Sequence, residues 1–227
     1  MAFGRDVEVG GEDFLSLDNL QYIVFHKPTN MIERFLKAKH WQLFILTIGI
    51  PMVFQIILMG VMFSNLAMKT NPEPAIILSY MQFFPVVMIS FMAVLFGWHW
   101  SVAIGLQKRV PVNVHMKVKK FKAFFFIPLV YFLCIMIFMS ITIQGLFEPS
   151  REPQVGLLAV IFAIIFPLHL FSMFCILYTL YFVAKTYKTV ELQRAVKFSE
   201  FAGEFFMIWF FPVGIWIIQP KINKFIE

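Results

Sequence analysis

The chain has 227 residues, 60% of them hydrophobic and only 14% charged, with a mean hydropathy of +0.79 and a formal net charge of +6. A water-soluble domain carries about a quarter charged residues, so this composition excludes an ordinary soluble fold. The basic residues flank apolar runs and form no separate domain, which argues against nucleic acid as a partner and for anionic membrane surfaces.

Residues 1–40 open the chain as a polar segment. It has no short apolar core or cleavage site, so it reads as a cytoplasmic N-terminal segment and not as a signal peptide. Its stretch "EVGGEDFLSLDNLQYIVFHKP" is either disordered or ordered against a partner. Four runs follow that are long enough to cross a bilayer as helix, at 41–63, 75–106, 121–146 and 155–184. They define an all-α integral membrane protein, with a four-helix membrane domain over 41–184. The second and fourth runs are long, so they tilt or project beyond the hydrocarbon.

The loops set the orientation. Segment 106–122, "LQKRVPVNVHMKVKKFK", contains Lys108, Arg109, Lys117, Lys119, Lys120 and Lys122 and no acid. Arg34, Lys37 and Lys39 precede the first run, and Lys185, Lys188, Arg194 and Lys197 follow the fourth. The two other loops balance Lys69 against Glu73, and Arg151 against Glu148 and Glu152. The positive-inside bias places the N-terminus, the 106–122 loop and the 185–200 segment in the cytoplasm. Trp41, Trp98 and Trp100 then fall at the cytoplasmic boundary as aromatic-belt anchors, and His99 reads as an interface histidine.

Residues 185–227 form a connector and an apolar C-terminal segment. Over 186–204 a helix continues from the fourth span, with Glu191 positioned to pair with Arg194. Val190, Arg194, Lys197 and Phe201 recur at helical spacing, the pattern of a membrane-surface or partner-docking face. Lys108, Arg109, Lys117, Lys119, Lys120, Arg194 and Lys197 are the candidate partner or lipid surface. Phe205 to Ile218 is uncharged but holds Pro212 and Gly214, which weaken a helix centre, and Trp209 and Trp216, which prefer the interface. It is a re-entrant, interfacial or fifth spanning helix. The balance leans to the first two, with a cytoplasmic C-terminus.

"FFPVVMIS" in the second run resembles "IFPLHLFS" in the fourth, so that Pro85 matches Pro167 and Ser90 matches Ser172. The first run, the third and the tail share an apolar-Pro core. The chain therefore reads either as a tandem parallel two-helix repeat with the first half of a third unit, or as apolar helices that align by chance. Each apolar segment holds one proline: Pro51, Pro85, Pro128, Pro167 and Pro212. Kinked helices around a polar cavity are one consequence, with Gln55, Gln82, Ser90, His169 and Ser172 as candidate lining; simple packing kinks are the other. Cys134 and Cys175 read as small core residues, not as a disulfide or metal pair.

The stretches "FLKAKHWQLFILTIGIP" and "EFFMIWFFPVGIWIIQPKIN" resemble small, uncharacterised multi-pass inner-membrane proteins of bacteria. That resemblance implies a location and no activity. No phosphate loop, metal-ligand pair or nucleophile motif occurs, and the four runs carry no acid or base other than histidine well inside them. The expectation is a non-enzymatic subunit or scaffold of a larger inner-membrane assembly. It would have no cofactor, metal or nucleic acid, and its partners would be membrane lipids and either other membrane subunits or copies of itself. The alternative is a small transporter or channel-like protein with a cavity between proline-kinked helices. An integral membrane lipid enzyme comes third.

Overall fold

The computed structural model describes residues 31–68, 84–146 and 155–227. The first 30 residues, Gln82 and the two acid-containing loops lie outside them, and so does the start of the predicted second span. The described residues are helical and contain no strand. Residues 31–37 form α1, and α2 is His40–Phe44. A π-helical turn, Ile45–Gly49, leads into α3, Ile50–Met68. α4 is Phe84–Gly105, closed by a 3-10 turn at Leu106–Arg109. α5 is Val118–Leu146, α6 Val155–Leu192, α7 Phe198–Trp209 and α8 Phe211–Ile226.

Four stretches are long and apolar enough to cross a membrane: His40–Asn65, Pro85–Arg109, Val118–Met139 and Phe162–Leu192. The protein is thus an all-α, multi-pass membrane protein. α6, at 38 residues, extends about 57 Å at 1.5 Å per residue and projects well past a hydrocarbon core of roughly 30 Å.

The prolines are handled in different ways. Pro51 removes an N–H that would have bonded the Thr47 carbonyl. The chain answers with the π turn just before it, in which Ile50 N–H donates to Ile45 O, while Thr47 Oγ1 donates to Leu43 O at 2.6 Å. Pro128 and Pro167 lie inside α5 and α6. Pro212 sits in the first turn of α8, where a missing N–H costs nothing.

The tail does not cross the membrane as one helix. Phe210 leaves helical geometry at φ −85°, ψ 58°, and splits it into α7 and α8. At 12 and 16 residues these are about 18 and 24 Å long, each short of the hydrocarbon thickness. Gly214 makes the elbow possible. A Cβ there would lie 1.8 Å from the Met207 carbonyl oxygen, a backbone atom that no rotamer change can move aside. Pro212 and Gly214 are therefore elbow residues, not weak points in the middle of a span.

The connector also differs from the sequence expectation. α6 stops at Leu192 because Gln193 takes the left-handed conformation, φ 52°, and its amide bonds back to Val190 O at 2.7 Å. Residues 193–197 form a break, so Arg194 and Lys197 share no helix face with Val190 and Phe201, which are both buried. Arg194 pairs with Glu200, and Glu191 pairs instead with Lys188 and Lys221.

Candidate functional site

Contacts between distant parts of the chain concentrate at one end of the bundle. At their centre is Gln219, fully buried on α8. Its Oε1 accepts from Trp98 Nε1 at 2.7 Å, and its Nε2 donates to the carbonyls of Ala38 at 2.8 Å, Leu36 at 2.9 Å and Phe35 at 3.2 Å. Asn223, one turn on, donates to the carbonyls of Lys37 and Ala38 at 3.2 and 3.3 Å. These carbonyls end α1 and would otherwise lack helical partners. Two side-chain amides on α8 thus cap α1 and tie it to α4.

The same end carries a shared ion network. Lys188 Nζ lies 2.7 Å from Glu191 and 2.8 Å from Glu204, and Lys221 lies 3.4 Å from Glu191. Arg109 donates to the Ile226 carbonyl at 3.2 Å, and Gln193 donates to the Arg109 carbonyl at 3.3 Å. The C-terminus, α1, the turn after α4 and the break after α6 therefore all meet at this end. Outside the spans, the Arg194–Glu200 hydrogen bond holds the Glu200 carboxyl below its ordinary range. The Lys197 backbone N–H, which donates to Glu200 at 2.7 Å, acts in the same direction.

Two of the predicted boundary residues are not at a boundary in the lipid sense. Trp98 is 1% exposed and His99 4%. Trp98 is held by Gln219, and His99 packs edge-on against Phe96, Trp98 and Phe211. Trp41 is exposed, as an anchor would be, and Trp100 is partly buried against Phe121, Phe125 and Phe126. Cys175 is buried, whereas Cys134 is exposed on α5 and so is not a core residue.

Two open concavities, of about 380 Å³ over residues 33–42 and about 360 Å³ between α1, α4 and α5, are the more voluminous; two smaller and more enclosed cavities bear on function. One, of about 260 Å³, lies between α4, α6 and the elbow of the tail. Its lining is apolar apart from His99 and Thr179, and the Thr179 hydroxyl is already spent on the Cys175 carbonyl at 3.0 Å. The other, of about 210 Å³, lies where α5 begins against α6, and is lined by His115, Lys117, Lys120, Lys185, Tyr178 and Tyr181 with Met116 and Phe182.

The candidate cavity residues are not drawn together into either space. Gln55 is half-buried on α3. Ser90 is exposed, its hydroxyl donating to Val86 O at 2.9 Å within its own helix. His169 is exposed on α6, with its Nδ1 3.1 Å from the Tyr131 hydroxyl. Ser172 is buried. Of the candidate surface residues, Lys117 and Lys120 meet in the basic pocket, while Lys108, Lys119 and Lys197 stand apart from it. Arg109 and Arg194 are engaged with Ile226 and Glu200. Among the described residues no three His, Cys, Asp or Glu side chains converge as a metal site would need.

No protein-family model, no curated protein and no solved structure matches this chain.

Proposed function

We propose that this protein is a non-enzymatic subunit or scaffold of a larger assembly in a bacterial inner membrane, with its N-terminus and the basic loop in the cytoplasm. One observation carries the reading: the uneven cover of the spans. Only 6% of the most apolar window of the first span is buried within the chain, against 33%, 17% and 22% for the other three. Ile50, Met52, Val53, Ile56, Ile57 and Phe63 stand exposed along it. Membrane helices gain packing from neighbouring helices and none from hydrophobicity alone, so a span this bare is suited to a partner's helix.

A transporter would draw support from the 260 Å³ cavity. Its lining is almost wholly apolar, and Gln55, Ser90 and His169 do not reach it, which weakens the case for a hydrophilic path. A lipid enzyme would need facing acid–base or nucleophilic groups; the apolar cavity offers only His99 and Thr179, and the Thr179 hydroxyl is engaged by the Cys175 carbonyl.

The test is crosslinking in native membranes from photoreactive residues at Ile57 on α3 and, for comparison, at Phe166 on α6. The expected result is one discrete heterologous product from Ile57, stoichiometric after mild-detergent purification and lost when Val53→Ala/Ile56→Ala is added with the probe kept at 57. Crosslinks to lipid alone from both positions, with a lone protein after purification, would overturn the reading. A self-crosslink would point to a homo-oligomer, and the transporter would then be the better account.

A further inference from the structure

We propose that the basic pocket at the start of α5 binds the phosphate of an anionic lipid headgroup. The proposal does not depend on the scaffold reading.

The first argument is an uncompensated charge. Lys117, Lys120, Lys185 and His115 converge on one concavity, and no carboxylate lines it. None of these four residues takes part in an ion pair among the described residues, although Lys188, only three residues beyond Lys185, holds two carboxylates. The second argument is the helix itself. α5 begins at Val118 with no acid in its first turn. Its N-terminus is the positive end of the helix dipole, where lysines are unfavourable and anions are welcome. Phe121 N–H finds the Lys117 carbonyl, but the N–H groups of Lys119 and Lys120 have no backbone acceptor among the described residues. Lysines crowded onto a positive helix end run against local preference, and such conflicts mark functional positions. A bound anion resolves this one.

The third argument is preorganisation. The Lys120 ammonium is held over two rings, 5.4 Å from the centroid of Phe124 and 5.2 Å from that of Tyr178. The fourth is depth. Lys120 lies in the first turn of one membrane-crossing stretch, and Tyr178 to Lys185 lie in another. The pocket therefore opens where lipid phosphates sit, beside tyrosines suited to that level. Its volume of about 210 Å³ accepts a phosphodiester and is too small for a folded partner segment.

The test is native mass spectrometry of the full chain in mild detergent, titrated separately with phosphatidylglycerol, phosphatidylcholine and inorganic phosphate. A pocket variant, Lys117→Gln/Lys120→Gln/Lys185→Gln, is compared with Lys39→Gln/Lys108→Gln/Lys224→Gln, which removes equal charge elsewhere. At roughly fivefold per lysine near an anionic surface, the pocket variant should bind phosphatidylglycerol about a hundredfold more weakly. The control variant should stay close to the parent, and replacing the same three pocket lysines with Arg should keep the affinity. If the triple variant does not fold by circular dichroism, Lys120→Gln alone is read instead, with about a fivefold loss expected. Equal loss in pocket and control variants means diffuse charge and overturns the proposal, as does no loss in either. Phosphatidylcholine binding as tight as phosphatidylglycerol also overturns it. Inorganic phosphate binding as tightly as the lipid would assign the site to free phosphate and refute the lipid source.

Discussion

Replacing Gln219 with Leu tests the central connection of the fold. Gln219 and Leu are similar in size and the site is fully buried, so the change removes hydrogen bonds while leaving little void. Two groups lose their partner in a dry environment: the indole N–H of Trp98, itself 1% exposed, and the Leu36 carbonyl. The carbonyls of Phe35 and Ala38 are only part-buried, and Ala38 keeps Asn223 as a donor. Each buried orphan costs about 1–3 kcal/mol, so the two together cost about 2–6 kcal/mol. The apolar gain of Leu over Gln returns about 1–2 kcal/mol of this. Taking the middle of each range, about 4 kcal/mol lost and about 1.5 kcal/mol returned, the net loss expected is about 2.5 kcal/mol, a large part of the stability of an average domain. The assay is reversible unfolding in dodecyl maltoside titrated with SDS, followed by far-UV circular dichroism. Trp98→Phe should be destabilising too, because it orphans Gln219 Oε1. The double variant should cost less than the sum by about 1–2 kcal/mol, since neither partner is then left alone. A Gln219→Leu protein within about 0.5 kcal/mol of the parent, or strict additivity, would refute the reasoning.

The glycines of the tail give a paired prediction by the same assay. Gly214→Ala should destabilise by about 2 kcal/mol or more, because its Cβ meets backbone at Met207. Gly203→Ala, whose Cβ meets nothing within 4 Å in mid-α7, should stabilise by about 0.5–1 kcal/mol. Lys188→Met should leave Glu191 and Glu204 facing each other with side chains only 22% and 11% exposed, costing about 3 kcal/mol. Adding Glu204→Gln should recover much of that loss. The carboxyl of Glu200 is held below its ordinary range, so its contribution is present at neutral pH and is lost as pH falls through the folded value. The protection factor at the first turn of α7, with the intrinsic pH dependence of exchange divided out, should therefore fall in acid, and Glu200→Gln should flatten that dependence.

Hydropathy made the architecture legible. The four runs of more than 20 mostly apolar residues overlap the four helices among the described residues that are long and apolar enough to cross, and their boundaries on the basic side follow from where lysines begin. The basic pocket was half legible, because Lys117 and Lys120 stand in one acid-free loop. Lys185 is 65 positions after Lys120, and nothing in its neighbours shows that α6 returns there. Trp98 misled for a physical reason: an indole near a run's end serves equally as a lipid-interface anchor and as a buried donor. The deciding fact is its acceptor, 121 residues away. A hint did exist in Gln219, a lone amide after "IWII" and before Pro220, since an amide in an apolar helix needs partners. The elbow at Phe210 was ambiguous because Pro212 and Gly214 suit a weak span and a helix start alike. Only the contact of Gly214 with Met207 separates the two.

Where the strong bonds lie decides which half of the molecule is held. Hydrogen bonds joining Trp98, Arg109, Gln193, Gln219 and Asn223 to distant partners all fall at the end where α1, α6 and α8 meet. Toward the other end, Tyr131 and His169 form a long-range polar link. It lies on an exposed face, and two polar groups in hydrocarbon satisfy one another there. Side-chain packing between spans is of a kind that lipid tails or another helix can replace at small cost. A chain built this way keeps one end rigid whatever surrounds it, and leaves its first span free to take its packing from a neighbour. If a partner does bind α3, its effect should therefore appear as slower hydrogen exchange along Ile50–Met68. The knot around Gln219 should exchange at the same rate with and without it. Equal slowing at both places would mean that the two halves are coupled, and that the division of strong and weak contacts does not set how the molecule moves.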